Sequence, residues 1–224
     1  MMAAPKTVAE RRIVQPLDAK FLTEGQRRYY DPHIDGTVVK VLPGEHYVTD
    51  AADEVLVTVL GSCVAACMRD PIAGVGGMNH FMLPGEARAG SAGNSGWGEA
   101  SSAMRYGQFA MEQLINDILK RGARRDRLEV KLFGGANVIR SSLRIGSSNA
   151  AFVREFMRAE RLIIAAEDLE GEYPRRIHYF PSTGRVQRLE MRRDPDRFVF
   201  DSELRYREGL SARKVEGEIE LFDS

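Results

Sequence analysis

Apolar positions in this chain fall into short blocks separated by glycine and proline, and the spacing within each block indicates what it builds. Residues 37–49 (TVVKVLPGEHYVT) alternate apolar and polar positions around Pro43-Gly44, which predicts a hairpin or two short strands. Residues 55–68 (VLVTVLGSCVAACM) are rich in β-branched residues and nearly all apolar, the pattern of a buried strand, with an interruption at Gly61-Ser62. DPIAG (70–74) reads as a turn. VGGMNHFML (75–83) reads as a further strand, with small residues where something must approach closely. Met104, Gln108, Met111, Leu114, Ile115 and Ile118 recur at helical spacing. They predict a helix over 104–121, capped by Ser101 or Ser102 and ended by Gly122. LEVKLFGGA (128–136) predicts a strand running into a glycine turn. A second helix follows at 148–160, with Ser148 or Asn149 as its cap, then a strand at 161–168 and a hairpin at 175–191 across Pro-Ser-Thr-Gly.

Between these blocks lie stretches of different character. Residues 85–102 are rich in Gly, Ser and Ala, too long for a tight connection. Their simplest reading is a surface connection; the alternative is a loop that closes over a partner helix, with Trp97 as an apolar contact. Residues 1–36 are polar and Arg-rich and read as an arm or irregular lead-in. Beyond 192 the chain is highly charged, with FVF and EIELF as candidate edge strands. The expected organisation is an arm at 1–36, a domain at 37–192 and a charged extension at 193–224. Strands alternating with two helices predict a mixed α/β or α+β class.

At 224 residues the chain can bury a core of useful size. Lys plus Arg equals Asp plus Glu, 32 each, so the net charge of zero gives no support for nucleic-acid binding through bulk charge. No apolar run reaches the length of a membrane span, and the N-terminus lacks the apolar centre of a secretory signal. Two cysteines do not make a disulfide framework, so the expectation is a cytoplasmic protein with reduced thiols. Neither phosphate-binding glycine motif is present, so a nucleotide enzyme is not indicated.

The chemistry concentrates in residues 58–84, where Cys63 and His80 stand seventeen positions apart. A thiol becomes a strong nucleophile when an imidazole takes its proton. The competing reading is structural: a free cysteine in an apolar run usually serves as a small hydrophobe, which suits Cys67. Cys63 differs because Gly-Ser breaks the strand before it and leaves main-chain amides near the sulfur, able to stabilise a thiolate and later an oxyanion. His80 has its own bland reading as a satisfied core side chain. His33 and His46 read as solvent-facing, and His178 as part of the hairpin strand. Cys63 and Cys67 are four apart with no paired histidines, a weak zinc pattern, so no metal site is expected. These residues alone suggest a cysteine hydrolase or acyl transferase.

LGSCVAACMRDP followed by GGMNHFMLP resembles the signature of the CheD family of chemoreceptor glutamine deamidases. KVLPGEHYV, RYGQFAMEQLINDILKRGA, KLFGGANV, IGSSNAAFV and AAEDLEG match that family's pattern in the same order, over roughly residues 37 to 190. The resemblance implies hydrolysis of glutamine side chains to glutamate in methyl-accepting chemotaxis receptors, through a Cys-His thioester mechanism that releases ammonia. It makes Cys63 the nucleophile and His80 the general base, with no metal or organic cofactor. The family also uses a threonine, commonly six positions before the cysteine; here that position is Val57, and Thr58 is its neighbour. The two point to opposite faces of a regular strand, so Thr58 as third residue would call for a bulge. The implied partners are receptor cytoplasmic helices and a CheC-type phosphatase, which admits a second reading as a non-catalytic or dual-role chemotaxis regulator. A cysteine peptidase or transglutaminase-like enzyme would share the thioester. The implied fold is α+β, mixed β-sheets packed with flanking helices, similar to the catalytic domain of cytotoxic necrotizing factor toxins.

Overall fold

The apolar run at 55–68 is two strands in two different sheets. The chain leaves one sheet at Leu60, bends at Gly61-Ser62 and enters the other at Val64. The computed structural model describes residues 27–83, 99–138, 144–192, 205–206 and 208–210. Among these, ten strands form two five-stranded mixed sheets. The first has the order β1 (Arg28–Asp31), β2 (Gly36–Lys40), β4 (Glu54–Leu60), β9 (Arg175–Phe180), β10 (Arg185–Glu190). The second has the order β3 (His46–Thr49), β6 (Val75–Asn79), β5 (Val64–Asp70), β7 (Glu129–Gly134), β8 (Ile164–Leu169). The pairs β2/β4 and β7/β8 are parallel and the others antiparallel. Helix α1 (Glu99–Lys120) lies on β3 and β6, and α2 (Ile145–Ala159) on β5. The class is α+β.

The second sheet is covered on both faces. One face meets the helices through Val64, Ala66, Met68, Leu114, Ile118 and Phe152. The other meets the first sheet through Ala65, Cys67, Met78, Leu56, Leu60 and Tyr179. A strand enclosed this way has no wet side, so its apolar pattern is continuous instead of alternating. β4 sends Leu56 and Leu60 inward, while Val55 and Val57 join an outer cluster with Tyr29, Ile34 and Phe180.

The hairpin at 175–191 forms as expected, with Arg185 opposite Phe180. Residues 37–49 contribute two strands, β2 and β3, which do not pair with each other. β1 joins the first sheet from within the stretch read as an irregular lead-in. Helix α1 buries Ala103, Gly107, Met111, Leu114 and Ile118, whereas Met104 and Gln108 face solvent. Gly107 shifts the stripe because α1 there runs against the Phe152 ring and Leu83, leaving no room for a Cβ. Gly122 ends α1 at φ +93°. A Cβ on Gly77 would run into the Tyr47 carbonyl oxygen and the Val48 and Leu114 side chains, so its small size serves both the close approach of β3 and helix packing. α2 starts at Ile145, ahead of both expected caps, and Asn149 is a buried interior residue. The Gly-rich stretch up to residue 98, Trp97, FVF and EIELF lie outside the described residues.

Candidate active site

Thr58, Cys63 and His80 converge in the layer between the two sheets. Thr58 comes from the middle of β4, Cys63 follows the Gly61-Ser62 bend, and His80 stands one residue beyond β6. Val64 and Phe81 form an antiparallel bridge that continues the β5/β6 register. That register sets His80 opposite Ala65 and Met82 opposite Cys63. Cys63, Ala65 and Met82 all belong to the inter-sheet cluster. Cys63 and His80 are therefore diagonal neighbours on one face, a relation that long side chains can span. All three candidate residues are buried: Cys63 is 0% exposed, Thr58 1% and His80 2%.

Thr58 Oγ1 lies 2.8 Å from the Val41 carbonyl oxygen and 2.8 Å from His80 Nδ1. A hydroxyl has one proton, and a carbonyl can only accept. The Thr58 O–H therefore donates to Val41, and its oxygen accepts Nδ1–H from His80. This selects the imidazole tautomer whose Nε2 carries the lone pair, the form a general base needs. No bulge is involved: β4 pairs in continuous register with β2 and β9, and Thr58 reaches His80 because its side of the strand is the inner one. Val57 points outward. The His80 main chain is also held, its N–H donating to the Glu45 carbonyl (2.9 Å) and its carbonyl accepting the Gly44 N–H (2.7 Å).

The bend carrying Cys63 is anchored by its carbonyl oxygens. Gly61 O accepts from Ala136 N–H (2.8 Å), Ser62 O from Asn149 Nδ2 (2.8 Å) and Cys63 O from Gly135 N–H (2.7 Å). The GGA turn after β7 thus borders the candidate site. Gly134 (φ +107°) and Gly135 (φ +66°) adopt backbone angles that favour glycine, and a Cβ on Gly134 would run into the Cys63 carbonyl oxygen.

The remaining candidates are elsewhere or in other roles. Cys67 is buried and free, and burial pushes its thiol pKa up, which suits an inert packing residue. His33 is exposed. His46, expected to face solvent, is half-buried and bound to Asp117 through Nε2 at 2.8 Å. His178 is buried on β9. Among the described residues no group of three His, Cys, Asp or Glu could hold a metal, and no helix is long and apolar enough to cross a membrane. Sequence reasoning missed two asparagines beside the site, Asn79 and Asn149. A polar residue inside a wholly buried strand was the available signal for Asn79. Residues from the distant charged tail also reach this layer: Leu210 is part of the same apolar cluster, and Tyr206 OH lies 2.5 Å from Tyr106 OH.

Comparison with known proteins places these residues in a family. A relative from Rhodopseudomonas palustris, named "Probable chemoreceptor glutamine deamidase CheD", is 55% identical over 93% of this chain and 95% of its own length. This chain belongs to the CheD family. The CheD chemotactic sensory transduction model matches residues 82–189, which begins just beyond His80. CheD relatives of the same name from Methylobacillus flagellatus (47%) and Thiobacillus denitrificans (48%) each align over 87% of this chain and 94% of their own. Among solved structures, the Neisseria meningitidis protein NMB0706 aligns over 60% of this chain and 62% of its own, with a TM-score of 0.36 and 8% identity. A likeness that remote says nothing further about this CheD chain.

Proposed function

We propose that this chain is a chemoreceptor glutamine deamidase, hydrolysing the side-chain amides of particular glutamines on the cytoplasmic helices of methyl-accepting receptors. The supporting observation is the Val41–Thr58–His80 hydrogen-bond chain beside Cys63, in a chain whose relatives bear that name. His80 Nε2 takes the Cys63 thiol proton, and the sulfur attacks the amide carbon. Main-chain N–H groups around the 62–63 turn meet the oxyanion. The imidazolium returns its proton to the departing nitrogen, the C–N bond breaks, ammonia leaves and a thioester remains. Water deprotonated by His80 then hydrolyses the thioester, giving glutamate and restoring the thiol. The carboxamide thus becomes a carboxylate, and nothing is oxidised or reduced.

Incubation with a receptor cytoplasmic fragment tests this. Wild type is expected to release ammonia and to shift glutamine peptides by the amide-to-acid mass difference, and Cys63→Ala to do neither. Turnover retained in Cys63→Ala would reject the nucleophile, and cleaved peptides would indicate a peptidase. A CheC-type phosphatase is a further partner in this reading, checked by co-purification. A likeness to the catalytic domain of cytotoxic necrotizing factor toxins belongs to the same proposal.

A further inference from the structure

The ladder between β5 and the strand that follows β6 is interrupted on both sides of the Val64–Phe81 bridge, each time by an asparagine side chain. The register that pairs Cys67 with Met78 and Val64 with Phe81 sets Ala66 opposite Asn79 and Ser62 opposite Leu83. At the first position the Ala66 N–H donates to Asn79 Oδ1 (2.9 Å) in place of a main-chain carbonyl. Asn79 Nδ2 donates in turn to the Ala110 carbonyl of α1 (3.1 Å). At the second, Leu83 N–H donates to Asn149 Oδ1 (2.9 Å), and Asn149 Nδ2 donates to the Ser62 carbonyl (2.8 Å). A carboxamide carries the donor and acceptor of a peptide group. Asn149 therefore stands where a direct bond between Leu83 N–H and the Ser62 carbonyl would otherwise close the ladder. It reaches there from α2 and is fully buried. Cys63 and His80 lie between these two insertions.

We infer that Asn149 is a positioning residue for the nucleophile: inserted into the ladder, its carboxamide sets the strand separation at the Ser62 turn and so the placing of Cys63 against His80. The inference rests on the reading of Cys63 and His80 as the reacting pair. The peptide between Ser62 and Cys63 is planar, so gripping the Ser62 carbonyl on the β6 side turns the Cys63 N–H toward β7, where the Cys63 carbonyl takes the Gly135 N–H. One side chain thus sets both the main-chain direction and the height of the nucleophile. Removing it lets the freed donor and acceptor bond to each other directly. The fold then survives, and Cys63 moves.

The full-length chain carries the test, as Asn149→Ala and Asn149→Asp; the second keeps the acceptor for Leu83 and loses the donor to Ser62. Val153→Ala is the control, one turn along on the same buried face of α2 and clear of the ladder. Three measurements are made: steady-state kinetics of ammonia release from a receptor fragment, giving kcat and KM; melting temperature; and the pH profile of Cys63 alkylation by iodoacetamide. Both Asn149 variants are expected to lose about 10²-fold in kcat with KM within about twofold, since small misplacements of reacting groups have effects of that size. Their alkylation profile should lose the part that depends on His80. Val153→Ala should lower the melting temperature and keep both kcat and the profile. The inference is overturned if the Asn149 variants keep kcat and the profile, or if Val153→Ala loses kcat in the same proportion. Wild type that releases no ammonia would reject the deamidase reading instead, and the alkylation profiles would still decide the role of Asn149.

Discussion

Thr58 Oγ1 faces two partners, the Val41 carbonyl oxygen, which can only accept, and His80 Nδ1, which can donate, so its single proton goes to Val41. That asymmetry gives the threonine a role in choosing the tautomer, beyond filling space. Thr58→Val keeps the shape and removes the oxygen. It is expected to lower kcat for ammonia release by about 10–10²-fold while leaving the fold intact, since a small misplacement of a reacting group can cost up to about 10²-fold; Thr58→Ser should restore most of the rate. Steady-state kinetics and a melting curve on the same preparations check both. Cys63 and His80 could be picked out as candidates from sequence because a thiol and an imidazole stand out in an apolar run. Choosing Thr58 over Val57 could not. Val55 and Val57 on one face of β4 are as apolar as Leu56 and Leu60 on the other, so composition does not reveal which face is inner.

At the scale of elements, the turn that carries Cys63 depends on its neighbours, above all the end of β7. Gly134→Ala would place a methyl against the Cys63 carbonyl oxygen at a backbone angle that disfavours any side chain. A loss of about 1–3 kcal/mol in stability, measured by denaturant unfolding, is expected together with reduced turnover. Asp70 does a comparable job at the far end of β5. Its Oδ1 accepts the N–H groups of Ile72 and Ala73, and its Oδ2 accepts the Arg124 N–H (2.8 Å) and the Arg127 guanidinium (2.6 Å). The β5–β6 turn is thereby tied to the connection between α1 and β7. Burial alone would raise the Asp70 pKa, but these donors outweigh it and hold the carboxyl at about 2. A depressed carboxyl stabilises the folded state above its unfolded value of 3.8, and the contribution disappears as pH falls through about 2. Asp70→Asn should cost about 2 kcal/mol at neutral pH, with the difference from wild type shrinking below about pH 4.

For the whole molecule, the packing of two sheets and a helical layer leaves an imidazole out of water on the outer side of the first sheet. Burial, then the Arg176 charge, pushes the His178 pKa down to about 4, with Asp31 opposing. The unfolded chain takes a proton near pH 6.5 that the folded chain refuses, so stability is full above 6.5 and falls as the pH drops toward 4. The expected loss is about 2–3 kcal/mol over that window. His178→Gln should flatten denaturant-unfolding stability between pH 7 and 4.5, leaving the Asp70 contribution at lower pH.

The succession of blocks, the 175–191 hairpin, both helices and the candidate pair Cys63 and His80 were all written in local pattern, because strand and helix periodicity and glycine punctuation act over a few residues. The partition of those strands was not. A continuous apolar run suits one strand buried on both faces or two strands meeting at a bend, and only the packing of one sheet on the other separates them at Gly61-Ser62. The same holds for Asn149. Its sequence neighbourhood suggests a helix cap; its partners, Ser62 and Leu83, come from segments far along the chain that meet only once α2 lies on β5. Long-range pairing decides such roles, because a side chain's chemistry is local while its hydrogen-bond partners are supplied by the fold.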